Sequence, residues 1–131
     1  MAGSRVANKL PSGFGSILLA VVPSVNLNAT GDTFVPFPDT PTKYRIRAVS
    51  LTNGSINPTT ARFSINVGAA VTGTQLVATV TPSLASAAIV QDLSINSTNA
   101  ITGSSVFINV SIAQGASATA DIYIYGDVLI A

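Results

Sequence analysis

The chain has 131 residues, a formal net charge of +1 and only 8% charged side chains, where ordinary soluble domains carry about 25%. It contains no Cys, His, Trp or Glu, which removes disulfides, thiolate metal sites, every His-based catalytic arrangement and any glycosidase that uses a Glu. One domain fits this length, and low charge without a dense basic stripe speaks against nucleic acid and for life against other proteins.

Residues 1–15, "MAGSRVANKLPSGFG", carry Arg5 and Lys9 without an acid, are punctuated by Pro11, Gly13 and Gly15, and show no periodicity. They read as a frayed terminus or, more sharply, as an extended arm ordered by a neighbour, ahead of a single domain over 16–131. A segment of this composition orders only against a partner, with the two cations facing carboxylates and Val6, Leu10 and Phe14 as anchors. The run "ILLAVV" (17–22) superficially resembles the apolar part of a secretory signal. It is too short to span a bilayer and has no clear cleavage site, so it reads as a buried strand and no membrane partner is expected.

From Ser16 onward the pattern is strand and turn. Strands are predicted at 16–22, 25–30, 32–36, 43–52, 60–67, 75–81, 89–95, 104–112 and 119–130, separated by "ATGD", "PFPDTP", "TNGS", "VTGT", "ITGS" and "AQGAS". In "KYRIRAVSL" alternation places Tyr44, Ile46 and Ala48 inside and Lys43, Arg45 and Arg47 outside, about 7 Å apart. That basic row is either a guard on an edge strand or a contact row for an acidic protein surface. In "ARFSINV" Phe63, Ile65 and Val67 point in, with Arg62, Ser64 and Asn66 out. In "SVFINVSI" Val106, Ile108, Val110 and Ile112 point in, with Phe107, Asn109 and Ser111 out. Residues 82–90 could form one helical turn after Pro82. In "ATADIYIYGDVLIA" Ile122 and Ile124 take one face, Tyr123 and Tyr125 the other.

Short strands at this spacing predict an all-β, antiparallel β-sandwich, jelly-roll-like; an immunoglobulin-like sandwich would usually show a core Trp. The connection "AQGASAT" suggests that 104–112 and 119–130 pair as a hairpin, bringing Phe107 near Tyr123 or Tyr125. Cross-strand aromatics stabilise any sheet, but three of them on a nearly uncharged face make a patch that another subunit would cover. The five acids are scattered, without calcium-loop spacing. Asp121 and Asp127 flank the tyrosine strand, where they either cap turns or share a cation, with turn capping preferred. No metal, cofactor or enzymatic activity is expected.

Two stretches resemble a known family. "YRIRAVSLTNGSINPTTARFSI" (44–65) is similar to a strand–turn–strand segment in small head proteins of tailed bacteriophages. "AQGASATADIYIYGDVL" (113–129) resembles their C-terminal signature. The resemblance implies a capsid decoration, or cement, protein: often a homotrimer of β-sandwich subunits on the outer surface of the virion shell, bound to the major capsid protein, with an arm reaching across capsid subunits. It carries no catalytic residues. Under it Phe107, Tyr123 and Tyr125 are subunit-interface candidates, and Arg5, Val6, Lys9, Leu10, Phe14, Lys43, Arg45 and Arg47 are capsid-contact candidates. The alternatives are a carbohydrate-binding module or another small virion part, such as a head-fibre base or a tail adaptor.

Overall fold

A computed structural model describes residues 17–84 and 88–131. Period-2 alternation of Val, Ile, Leu and aromatic residues makes nine strands: β1 (Ile17–Asn26), β2 (Gly31–Pro36), β3 (Lys43–Thr52), β4 (Arg62–Asn66), β5 (Gln75–Val80), β6 (Gln91–Leu93), β7 (Ile101–Thr102), β8 (Ser105–Ile112) and β9 (Thr119–Ile130). A front sheet runs β1-β9-β3-β6, with β7 also on β3, and a back sheet runs β2-β8-β4-β5. Every pairing is antiparallel.

The partners nest: β1 with β9, β2 with β8, β3 with β6, β4 with β5. The chain is thus one long hairpin, with its tip between β4 and β5, rolled until β9 also meets β3 and β8 also meets β4. This is the jelly roll. Its two sheets close on Tyr44, Ile46, Leu51, Phe63, Ile65, Leu76, Ile108, Ile122 and Ile124, all fully buried. Each such side chain contributes about 1.5–3 kcal/mol by leaving water.

The predicted hairpin of 104–112 with 119–130 is incorrect. β8 lies in the back sheet between β2 and β4, and β9 in the front sheet between β1 and β3. They face each other across the core because residues 113–118 cross between the sheets. Leu27 holds this crossing: its N–H donates to the Ala118 carbonyl and its own carbonyl accepts from Gln114 N–H.

Bulges account for most of the other differences. The two strands expected at 16–22 and 25–30 are the single strand β1, whose register shifts between Val22 and Val25, with Ser24 at φ 52°. In β3 a shift between Ile46 and Ala48 moves the inward set from Tyr44 and Ile46 to Val49 and Leu51. Ala48, expected inside, is therefore exposed. Opposite this bulge stands Gly126, where a Cβ would collide with the Arg45 carbonyl. In β4, Ser64 and Asn66 face outward as predicted but are buried, because the loop after β4, with a 3-10 turn at Ala69–Val71, folds back over the outer back sheet. The helical turn expected at 82–90 is absent from its described residues; 85–87 lie outside them.

Candidate interaction surfaces

The connections 27–30, 53–61, 81–90 and 113–118 gather at what we call the upper end of the sandwich. Connections 37–42, 67–74, 94–100 and 103–104 gather at the lower end, with β7, the start of β1 and the end of β9.

On the outer front sheet, Tyr123 and Tyr125 do point away from the core, and each is half-buried. The register sets Leu18 beside Tyr125 and Val21 beside Tyr123 on the edge strand β1, with Ala48 and Ser50 on the β3 side. Leu18 and Val21 are 45% and 41% exposed. The tyrosines are thus the centre of an aliphatic–aromatic patch. Above it Asp121 accepts from Ser24 N–H at 2.8 Å and from Asn53 Nδ2 at 3.2 Å, securing the β1 bulge and the end of β3. Below it Asp127 receives Arg45 Nη2 at 2.7 Å and Arg47 Nη1 at 3.3 Å. Asp121 and Asp127 therefore serve separate partners, and among the described residues no three His, Cys, Asp or Glu side chains gather as a metal set.

The basic row changes character accordingly. Its strand is not an edge: β3 has β9 on one side and β6 and β7 on the other, so the edge-guard reading is overturned. Arg45 and Arg47 turn toward Asp127, and their cationic surface is largely answered within the front sheet.

Phe107 is on the opposite outer face from the tyrosines, contrary to the expected cluster of three. Its partner is Phe34 on β2, with ring centroids 5.3 Å apart and planes tilted by 53°. Phe34 is 57% exposed. Above this pair, Asp32 accepts from Asn109 Nδ2 at 2.8 Å and from Ala70 N–H at 2.7 Å, which tethers the folded-back loop. Beneath that loop, Asn66 Nδ2 donates to Ser64 Oγ at 2.9 Å, while its buried Oδ1 has no partner among the described residues.

The arm candidates Arg5, Val6, Lys9, Leu10 and Phe14 lie outside the described residues. Sequence reasoning missed Leu18, Val21 and Phe34 as surface residues. "ILLAVV" has no alternation to separate its faces, and only the place of β1 at a sheet edge exposes one of them. In the predicted strand 32–36 alternation sets Phe34 and Val35 on opposite faces, and only the burial of Val35 shows that Phe34 is the outward one.

Elsewhere, a shallow groove of about 260 Å³ runs between β5 and β6, lined by Val77–Val80 and Gln91–Ser94. Its one charged group, Asp92, accepts from Ser50 Oγ at 2.7 Å. In the core, Tyr44 donates its hydroxyl to the Ser105 carbonyl at 2.9 Å and meets Phe37 edge-on, with ring centroids 4.8 Å apart. Burial pushes its phenol from 10.0 up to about 12. No family model, curated protein or solved structure matches the chain.

Proposed function

We propose that this chain is a structural virion protein that decorates and stabilises a tailed-phage head, binding the outer surface of the major capsid protein shell as a homotrimer. The observation that carries this reading is the outer face of the front sheet, where Leu18, Val21, Tyr123 and Tyr125 adjoin without an intervening charge. A patch of that kind on a small sandwich calls for a protein partner. The resemblance of residues 44–65 and 113–129 to small phage head proteins supports a capsid protein as that partner. Trimerisation turns three modest footholds into a multivalent attachment. In this reading the arm (Arg5, Val6, Lys9, Leu10 and Phe14), Lys43 and the part of Arg45 and Arg47 left free by Asp127 meet the capsid.

The test is co-sedimentation with heads assembled from the major capsid protein encoded alongside this chain. Saturable binding at a copy number set by the shell's symmetry is expected, and removal of residues 2–12 should lower occupancy while leaving the folded domain intact. A chain that stays in the supernatant, and instead binds members of a glycan array, would be a carbohydrate module.

A further inference from the structure

We propose that Asn53 is a site of spontaneous covalent modification: its side-chain amide is lost through attack by the Gly54 nitrogen, and the product unlocks the junction that Asp121 makes between the start of β9, the end of β3 and the bulge of β1. The inference stands apart from the decoration reading and concerns the upper end of the sandwich.

Sequence and packing together fix the reactive pair. Of all the asparagines in the chain, Asn53 alone precedes a glycine. With no side chain on the next residue, the backbone nitrogen reaches the amide carbon unhindered. The structure explains why both members stay. Asn53 has φ 57°, a left-handed conformation that asparagine accepts more readily than most residues. Gly54 is buried, and a Cβ there would stand 2.7 Å from the Cβ of Leu84. Leu84 is itself fully buried, so it cannot give way to a larger residue at 54. Asn53 is exposed to water, and among the described residues its amide is held by one bond, from Nδ2 to Asp121 Oδ2 at 3.2 Å.

The reaction is intramolecular and consumes one water. The Gly54 nitrogen gives up its proton and bonds to Asn53 Cγ. The Cγ–Nδ2 bond breaks and Nδ2 leaves as ammonia, which closes a succinimide ring. Water then opens the ring at either carbonyl. Opening at Cγ leaves aspartate. Opening at the main-chain carbonyl leaves isoaspartate, in which the backbone runs through the side chain and is one methylene longer.

Either product spoils the junction. Aspartate replaces the donor on Asp121 with a second carboxylate, and neighbouring like charges repel. Isoaspartate adds length where the chain has no slack. Thr52 is paired with Asp121, and Ser55 is tied twice to Thr119: its N–H donates to the Thr119 carbonyl at 2.9 Å, and its Oγ accepts from the Thr119 N–H at 2.9 Å. An added methylene between these clamps must release one of them. Asp121 also accepts from Ser24 N–H, so the disturbance passes to the β1 bulge.

The experiment ages the full chain at mildly alkaline pH and follows it by peptide mapping, with a fragmentation that separates aspartate from isoaspartate. Asn53 should convert ahead of every other asparagine. In the converted fraction, hydrogen exchange at Ser24, Ser55 and Thr119 should become severalfold faster, while β8 exchanges as before. Asn53→Gln keeps an amide but closes its larger ring far more slowly, and should stay unmodified at that position over the same time. Asn53→Asp should lower the urea midpoint, and adding Asp121→Asn should restore it, because the amide then donates to the new carboxylate. Far-UV circular dichroism checks that each variant folds. Another asparagine converting first, or conversion that leaves exchange at Ser55 and Thr119 unchanged, overturns the proposal. So does an Asn53→Asp chain as stable as the parent, or one that Asp121→Asn fails to restore.

Discussion

The two ends of the sandwich handle polar groups differently. At the upper end, neutral side chains satisfy the loop backbone from within. Gln114 Oε1 accepts the N–H groups of Thr59, Thr60 and Ala61 at 3.1, 3.0 and 3.0 Å. Asn57 accepts from Leu84 N–H, Asn28 from Gly115 N–H, and Ser55 from Thr119 N–H. At the lower end stand the ion pairs of Asp127, the start of β1 and the exposed Leu129 and Ile130. Loops whose hydrogen-bonding capacity is spent on one another have little left for a partner. Large apolar side chains are exposed at both ends, Ile56, Ile89, Val90 and Ile112 at the upper and Leu129 and Ile130 at the lower, so what separates the ends is the ion pairs of Asp127. The upper end is closed by neutral hydrogen bonds, and the lower end is braced by the charges of Arg45, Arg47 and Asp127.

The contrast breaks first at Gln114. Gln114→Ala leaves three adjacent N–H groups without their acceptor, one of them on buried Ala61, and should cost about 3 kcal/mol in urea titration. Gln114→Glu keeps an acceptor oxygen there and should recover most of the loss. A cost for Gln114→Ala no larger than that of deleting the lower ion pairs would erase the distinction between the ends.

Next in size is Tyr44, in the core close to the lower end. Its folded pKa, about 12, lies above the unfolded 10.0, so the fold favours the neutral phenol. That stabilisation is complete below pH 10 and is lost as pH rises through 12, amounting to about 2–3 kcal/mol. Tyr44→Phe gives up the Ser105 hydrogen bond, for about 1 kcal/mol at neutral pH, and should flatten the decline between pH 10 and 12. An equally steep decline in the variant would assign it to other groups.

Asp121 comes third. Asp121→Ala releases Ser24 N–H and the Asn53 amide, for about 1–2 kcal/mol, and should speed hydrogen exchange in the upper half of β1 without changing it in β8. The smallest effect belongs to Arg45→Ala. The pair is partly open to water through Arg45, with Arg47 still beside Asp127 when Arg45 is removed, so the loss should be about 0.2–1 kcal/mol and fade as salt is added; a loss above 2 kcal/mol that is independent of salt would make it part of the fold's support.

Much of this architecture is legible in the residues. The alternation in "ATADIYIYGDVLIA" produces β9 at Thr119–Ile130, with Ile122 and Ile124 in the core and the tyrosines outside. "SVFINVSI" produces β8, with Val106, Ile108 and Val110 inside, whereas Ile112, expected with them, is exposed at the strand's end. The turn signals fall between strands, and an all-β sandwich of jelly-roll form follows from strand number and spacing. Alternation fails where the backbone leaves the pleat. The bulge at Arg47 and Ala48 reverses the faces of β3, and an extra residue in a strand has no composition signal of its own. The candidate surface is legible at Tyr123, Tyr125 and Phe107 as separate outward residues, though not in its grouping.

That grouping depends on partners distant in sequence. By itself the sequence determines which segments extend and which side chains face inward, because strand periodicity is a property of neighbouring residues. It also determines that catalysis must do without His, Cys and Glu. Only the tertiary structure decides that β8 and β9 oppose each other in different sheets, that Asp127 receives Arg45 and Arg47, and that Leu18 and Val21 adjoin the tyrosines while Phe34 takes Phe107. Each of these depends on how the long hairpin rolls up. The roll is selected by the shared burial of residues from every strand at once, and no local window of the chain contains that information.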